Sequence, residues 1–303
     1  MVEQPAEQQQ TVPAIRYGWL RAALFLIVAF ISSSIFSIVG VIVLALAFNI
    51  DMSVLMTDAR NLIQDLGLPA NIVLTLFGFT GMVMAAWIFR KFIDKKSFKS
   101  LGFDFVSFRK DFLIGLFLGF ILISIGFLIL YSLGEIVVVD VSFSPALISG
   151  YILFFCIGSL NEEIMIRGYF LSNFCDSMNK YIALFISSLV FALMHLGNAN
   201  VTLISFINIF LAGMLLGIYY IHKRNLWLPI SLHFSWNFFQ GAVFGFEVSG
   251  VGVSGIIVQE TSTTDIWTGG AFGFEGSLIA TILMIIAIAI LHLKYKNSFV
   301  NAL

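Results

Sequence analysis

The sequence predicts an all-α polytopic membrane protein, a bundle of about eight transmembrane helices around a polar intramembrane cavity. Of its 303 residues, 59% are hydrophobic and 11% are charged, whereas a soluble domain has about 45–50% apolar and about 25% charged residues. The apolar residues are gathered into runs near the ~20 residues that a helix needs to cross the hydrocarbon. Polar clusters that interrupt some of these runs predict the cavity.

The N-terminal segment is polar and contains three consecutive glutamines. We expect residues 1–18 to form a disordered cytoplasmic tail and residues 19–303 to form a single transmembrane domain. The first apolar run is Trp19–Phe48, and a cleaved signal peptide is an alternative because Ala45–Ala47 resembles a cleavage site. A run of roughly thirty residues far exceeds the about 7–15 apolar residues of a signal peptide, which favours an uncleaved first span.

Further apolar runs predict the remaining spans. They lie at about Pro69–Phe89, Phe112–Leu133, Pro145–Leu160, Tyr181–Leu196, Leu203–Ile221, Leu226–Phe246 and Gly276–Leu293. Among the connectors, Asp51–Gly67 is predicted to be a short polar loop and Arg90–Asp111 is strongly basic. Glu247–Glu275 is rich in Gly, Ser and Thr and is predicted to be a loop.

The distribution of charge predicts the orientation. If the N-terminus is cytoplasmic, every Lys and Arg except Arg60 falls on the inner side. Inner loops of membrane proteins carry such an excess of Lys and Arg, so we expect both termini in the cytoplasm and the chain in the cell membrane. The basic connector is explained by this topology and by attraction to anionic lipid head groups. Nothing in the sequence therefore supports a nucleic-acid partner.

Three polar clusters lie within the apolar surroundings: Glu162 with Glu163 and Arg167, Phe191 with His195, and His233 with Asn237. Residues four apart share one face of a helix, so Glu163 can pair with Arg167, and His233 lies beside Asn237. Glu162 points about 100° away from its neighbour. We therefore expect the Glu163–Arg167 pair to anchor the helix and Glu162 to face the cavity.

A structural role is the alternative for each cluster taken alone. A juxtamembrane ion pair or an interhelical hydrogen bond explains single polar residues in a span. His222 and His292 lie in a basic loop and in the last turn of the last span, where an interfacial role is expected. Two histidines, an asparagine and a carboxylate pair within the spans together favour a functional site.

These residue types suit the hydrolysis of a peptide bond. A Glu–His pair can activate water, and a second histidine with an asparagine can donate hydrogen bonds to an oxyanion. No Ser–His or Cys–His pair stands at a recognisable spacing, and the His-Glu-x-x-His helix motif of zinc proteases is absent. A zinc site formed by Glu162, His195 and His233 stays open as an alternative, because these are zinc-ligand types.

The clusters form three motifs that resemble the signature of the CAAX-protease and bacteriocin-processing (CPBP) family of intramembrane endopeptidases. They are Glu162-Glu163-x-x-x-Arg167, Phe191-x-x-x-His195 and His233-x-x-x-Asn237. The resemblance covers about Leu147–Gly241 strongly, and Lys99–Phe103 also resembles a short segment that precedes the core in this family.

The resemblance implies an eight-helix protease with a water-filled cavity open to the cytosol and a catalytic core at about 145–245. Carried over by motif, Glu162 and His195 would activate the water, and His233 and Asn237 would stabilise the oxyanion. Supporting or substrate-orienting roles fall to Glu163, Arg167 and Phe191. The implied mechanism needs no cofactor, with zinc as the alternative.

The implied partners are membrane lipid and a membrane-associated peptide or lipopeptide, prenylated or leader-bearing. A non-catalytic membrane binding or bacteriocin-immunity protein that uses the same cavity is the second hypothesis. An ion-coupled transporter is less favoured, because the sequence lacks internal repeats and Gly/Pro-broken helices in corresponding halves.

The depth of the histidines sets a condition on the fold. Counted from Lys180, His195 lies about 22 Å along its helix, whereas His233 lies only about 10 Å from Leu226. The two can meet only if the fifth helix is tilted, begins deep in the membrane or is not a simple full span.

Overall fold

The computed structural model describes residues 12–50, 52–261 and 266–297. Helices dominate this part of the chain, which confirms the predicted all-α class. In chain order they are α1 at Gly18–Ala47, α2 at Met52–Ile88, α3 at Arg109–Leu133, α4 at Pro145–Glu163, α5 at Lys180–Met194, α6 at Leu203–Lys223, α7 at Trp227–Asn237 and α8 at Leu278–Tyr295. Of the predicted tail, residues 1–11 lie outside the described residues.

Among the described residues, 7 helices are long and apolar enough to cross a membrane. The chain is therefore an integral multi-pass membrane protein. The predicted span at Leu226–Phe246 is the shorter α7, which continues as a π-helix at Phe238–Val243. Its residues pack among the other helices instead of forming a long span of their own.

The predicted polar loop at Asp51–Gly67 is helical from Met52 onward. The sequence has no Pro or Gly between Met52 and Gly67, so nothing there stops a helix. Gly67 has a φ of +67° and Pro69 lies inside the helix. The predicted boundary thus falls at an irregular point within α2, at residue types that commonly interrupt helix geometry.

The fourth helix extends beyond its predicted end at Leu160. It runs to Glu163 and continues as a π-helix at Ile164–Leu171 and a last turn at Ser172–Cys175. Every residue of the π-helical segment is buried. The charged motif thus lies inside a continuous membrane helix, and π-helical turns of this kind are frequent at functional sites.

Two connectors that the sequence predicts as loops pair as a small antiparallel sheet. Strand β1, Ile136–Val141, follows α3, and strand β2, Ile257–Thr261, belongs to the long connector before α8. The run of β-branched residues in β1 favours a strand. Val138 pairs with Gln259 and Asp140 pairs with Val258, so the register of the two strands shifts between Val138 and Asp140.

Helix α7 is held at the centre of the bundle, against α3, α4 and α6. Gly115 and Gly119 of α3 form a G-x-x-x-G pattern that allows close helix approach in membranes. A Cβ at Gly119 would lie 2.7 Å from the backbone nitrogen of Trp236. Ser235 donates a hydrogen bond of 2.6 Å to the Leu116 carbonyl. These contacts fix the position of the helix that carries His233.

A buried charge cluster ties α1, α2 and α4 together. Asp94 is 2.8 Å from Arg90 and 3.3 Å from Arg21, and it accepts a hydrogen bond of 3.2 Å from the Tyr169 hydroxyl. Arg21 also contacts Asp176 at 3.2 Å. In the sequence these arginines indicate only the topology, but in the structure they pair inside the protein.

Candidate active site

Helix α4 and its π-helical continuation carry the charged motif. The Glu163 side chain is fully buried, and its Oε1 lies 2.8 Å from Nη1 of Arg167. Arg167 is also buried and donates a second hydrogen bond of 3.2 Å to the Gly213 carbonyl on α6. A buried carboxylate is stable only when it is paired and hydrogen-bonded. The pair therefore fixes α4 against α6.

Glu163 has a second partner, which the sequence did not predict. Its Oε1 lies 2.9 Å from Nδ1 of His233 on α7. Because an ionised carboxylate only accepts hydrogen bonds, Nδ1 of His233 carries the donated proton. The other ring nitrogen, Nε2, lies 3.9 Å from Oε2 of Glu162.

His195 is oriented in a similar way at the end of α5. Its Nδ1 lies 2.7 Å from the carbonyl oxygen of Phe191, which can only accept, so Nδ1 is the donor. The lone pair of the neutral ring is then on Nε2, which lies 3.9 Å from Oε2 of Glu162. Both imidazoles thus direct Nε2 to the same carboxylate oxygen.

The two adjacent carboxylates differ in access. The side chain of Glu162 is 29% exposed, whereas that of Glu163 is 0% exposed. A separation of 3.9 Å from each histidine is too long for a direct hydrogen bond. One shared water can span such a gap. Glu162 is therefore the more accessible of the two carboxylates, although its Oε2 is buried.

Phe191 links the other groups of the site. It is buried, and the guanidinium carbon of Arg167 lies 4.5 Å from the centre of its ring. That distance is within the range of a cation–π interaction. Its ring centroid is 4.6 Å from that of His195 and 6.3 Å from that of His233. The phenylalanine therefore packs against both imidazoles while its carbonyl orients one of them.

Asn237 lies one helical turn after His233 and lines a cavity together with His195 and His233. The cavity has about 410 Å³ of empty space, which includes its open side. Its walls are otherwise mostly apolar: Ile209, Leu215, Leu216, Leu232, Trp236 and Met284. Glu162, which we expected to face the cavity, is not among the lining residues, whereas the two imidazoles that lie 3.9 Å from it are.

The structure meets the condition that the depth of the histidines sets. Helix α5 ends at Met194, and His195 begins a 3-10 turn that closes at Gly197. His195 thus lies about 22 Å along the helix from Lys180. It nevertheless meets His233, because Nε2 of each ring lies 3.9 Å from Oε2 of Glu162.

Two cavity-lining polar residues were not singled out from the sequence. Ser249 and Glu275 both belong to the connector between α7 and α8, which the sequence assigned to an outer loop. No motif spacing marks them, because they approach the site only through the folding of that connector.

The geometry tests the zinc alternative. Ligand atoms around a tetrahedral zinc lie about 3.3–3.4 Å apart, since each is about 2.0–2.1 Å from the ion. The carboxylate oxygen of Glu162 is 3.9 Å from both imidazole nitrogens. Within the described part of the chain, no group of three or more His, Cys, Asp or Glu residues could hold a metal ion. As arranged, the three groups are spaced more widely than the ligands of a bound zinc.

Residues 144–239 match the model of the Rce1-like type II CAAX prenyl endopeptidase family. The match confirms the resemblance to CPBP proteins over this segment of the chain. The Rce1-like domain runs from α4 into the π-helical turn after α7 and contains all three motifs. The match supports the assignment of the chain as a hydrolase of the protease class that is embedded in the membrane. No curated protein and no solved structure matches the chain.

Proposed function

We propose that the chain cleaves a membrane-associated polypeptide, prenylated or leader-bearing, with a water activated by Glu162 and His195. One observation carries the proposal. Oε2 of Glu162 lies 3.9 Å from Nε2 of both His195 and His233, while Nδ1 of each ring is engaged elsewhere. The three groups therefore face a common point with free hydrogen-bonding capacity.

In the proposed reaction, a water at this point donates one proton toward Glu162 and one hydrogen bond toward Nε2 of His195. The water oxygen forms a bond to the peptide carbonyl carbon, and the abstracted proton is delivered to the departing nitrogen as the C–N bond breaks. General acid–base groups of this kind contribute about 10²–10⁴-fold to a rate.

His233 and Asn237 are assigned to the oxyanion. Glu162, Glu163 and Arg167 together leave one negative charge without compensation, and a protonated His233 balances it. Its Nε2–H can then donate to the carbonyl oxygen as negative charge develops there. The Asn237 amide, one turn further along α7, supplies a second donor from the same wall.

The supporting groups act on these four residues. Glu163 holds His233 at 2.9 Å and is itself held by Arg167 at 2.8 Å. Phe191 holds His195 through its carbonyl at 2.7 Å. Residues that lock catalytic side chains in this way are positioning residues, and their loss misplaces the reacting groups. No step in this scheme uses a metal ion.

The test compares purified wild type with Glu162→Gln in lipid nanodiscs on a prenylated peptide ending in the CAAX motif. We expect cleavage to fall about 10³-fold, because the amide cannot take a proton from water. Asp140→Asn, which removes a carboxylate from the exposed strand β1, is the control and should leave cleavage unchanged.

Equal cleavage by wild type and Glu162→Gln would sink the assigned role of Glu162. The non-catalytic alternative makes the opposite prediction for binding. It requires that Glu162→Gln keep function while a bulky substitution in the cavity wall, such as Ala212→Trp, abolishes it.

We also propose that the chain lies in the cell membrane with both termini in the cytoplasm. The near-exclusive placement of Lys and Arg on one side of the predicted spans supports this orientation. Single-cysteine labelling with a membrane-impermeant maleimide tests it. Residue 98 in the basic connector should react only after the membrane is opened, and residue 137 of β1 should react in intact cells.

A further inference from the structure

Glu275 is a buried carboxylate in the wall of the cavity that also contains His195, His233 and Asn237. It is 6% exposed. Neither the three motifs nor the proposed hydrolysis uses it. Its place in the same cavity raises the question of what it binds.

The carboxylate is held in a fixed position. The backbone N–H and the hydroxyl of Ser249 donate hydrogen bonds of 2.8 and 2.7 Å to Oε2 of Glu275. The backbone carbonyl of Glu275 accepts a hydrogen bond of 2.7 Å from the Asn208 amide. That amide is fixed in turn by a hydrogen bond of 2.6 Å from the Thr281 hydroxyl.

The turn that carries Ser249 adopts an uncommon conformation. Ser249 and Gly250 have φ values of +50° and +80° between the paired residues Val248 and Val251. Positive φ at both central positions is the type I′ arrangement, in which glycine, asparagine and aspartate are usual and serine is not. Strained residues of this kind cluster at functional sites. Here the conformation points both donors of Ser249 at Glu275.

What Glu275 lacks is a cation. In the part of the chain that the structure describes, no Lys or Arg forms an ion pair with this carboxylate, although both other buried carboxylate clusters contain arginine. Burying a negative charge without a positive partner is unfavourable. A cation that enters the cavity would therefore be bound more tightly than a neutral group of the same size.

We propose that Glu275 determines specificity by binding a positively charged side chain, Lys or Arg, of the substrate polypeptide. The proposal rests on the proposed function, because that function brings a polypeptide into this cavity. The cationic side chain lies at Glu275 while the scissile bond lies at His195 and His233 on the same cavity. Its Coulomb attraction to the carboxylate is strengthened by the apolar walls.

Binding tests this without any cleavage. The probes are neutral prenylated peptides that carry a single Lys moved through successive positions, with norleucine as the matched neutral residue. Both sets are titrated into the Glu162→Gln protein in nanodiscs. At one position we expect the Lys peptide to bind about tenfold more tightly than its norleucine match. Adding Glu275→Gln should bring this ratio to about one.

Two further variants separate charge recognition from loss of structure. Glu275→Asp keeps the carboxylate and should retain a preference for Lys. Glu247→Gln removes one negative charge from the same connector, but Glu247 does not line the cavity. This variant should therefore retain the full preference for Lys. Absence of a Lys preference at every position overturns the proposal, as does a preference that Glu275→Gln leaves intact. A loss of the preference in both Asp and Gln variants also counts against it.

The outcome is distinguishable from failure of the proposed function. A wild-type protein that cleaves none of the peptides, but binds Lys peptides through Glu275, refutes the peptidase and leaves the cation site standing. A protein that cleaves Lys and norleucine peptides equally well refutes the cation site alone.

Discussion

The described part of the chain contains two buried clusters of carboxylates and arginines that differ in how completely they are paired. In the cluster at Asp94, the carboxylate contacts Arg21, Arg90 and Tyr169 directly. In the cluster at Glu162, Arg167 and His233 both contact Oε1 of Glu163, whereas neither oxygen Oε2, of Glu162 or of Glu163, has a hydrogen-bond partner.

The comparison distinguishes charge that stabilises a fold from charge that is available for chemistry. A buried polar group without a partner costs free energy, so a folded protein keeps one only where something else depends on it. Each of the arginines Arg21 and Arg90 has a direct carboxylate partner. The unpaired oxygen of Glu162 lies between two imidazoles instead.

The largest expected effect is on activity, at the unpaired carboxylate. Glu162→Gln should lower kcat by about 10³-fold, or about 4 kcal/mol of transition-state stabilisation. Its thermal stability in detergent should stay within about 0.5 kcal/mol of wild type, because no direct hydrogen bond is lost. A large drop in stability would show that the two clusters do not differ as described.

The opposite result is expected at the paired carboxylate. Asp94→Asn should destabilise the protein by about 3–5 kcal/mol, since it leaves the buried Arg90 without an anion and leaves Arg21 with Asp176 as its remaining carboxylate partner. Activity per folded molecule should persist. Asp176→Asn is the matched control, because its side chain is 37% exposed, and it should cost less than about 1 kcal/mol. Denaturation in detergent measures the stability, and cleavage assays with active-site titration measure the activity per folded molecule.

Glu163→Gln should lower both kcat and stability, each by less than the variant at Glu162 or Asp94 that affects it most. The amide loses the ion pair with Arg167 and the charged acceptor of His233, so we expect a loss of about 1.5–3 kcal/mol in stability. The displaced imidazole should reduce kcat about 10²-fold. A variant with full activity would exclude a positioning role for Glu163.

A smaller effect is expected from Phe191→Leu. The change removes the ring that packs on the Arg167 guanidinium and on His195, but it keeps the backbone carbonyl that orients the histidine. We expect a loss of about 0.5–2 kcal/mol in stability. The accompanying fall in kcat should be much smaller than for Glu162→Gln, and thermal melts with cleavage assays check both.

The smallest expected effect is that of metal removal. Exhaustive dialysis against a strong chelator should leave peptide cleavage unchanged, because the proposed chemistry uses only side chains of this chain. Loss of activity that added Zn²⁺ restores would instead support the zinc alternative at Glu162, His195 and His233.

Much of the helical architecture is predictable from local sequence. The spans were located because ~20 consecutive apolar residues are needed to cross the hydrocarbon, a requirement that composition alone reveals. The rule does not detect helices that are not apolar. The helix before Gly67 is polar, and the sequence therefore predicts a loop there.

By itself the sequence determined the fold class, the three motifs, the family resemblance and the i,i+4 pairing of Glu163 with Arg167, all of which depend on residues close together in the chain. Only the tertiary structure decided that His233 also binds Glu163, that Glu162 faces both imidazoles, and that Glu275 enters the cavity. These contacts join residues of separate helices and connectors. Their distances follow from helix packing and chain folding, which local periodicity does not encode.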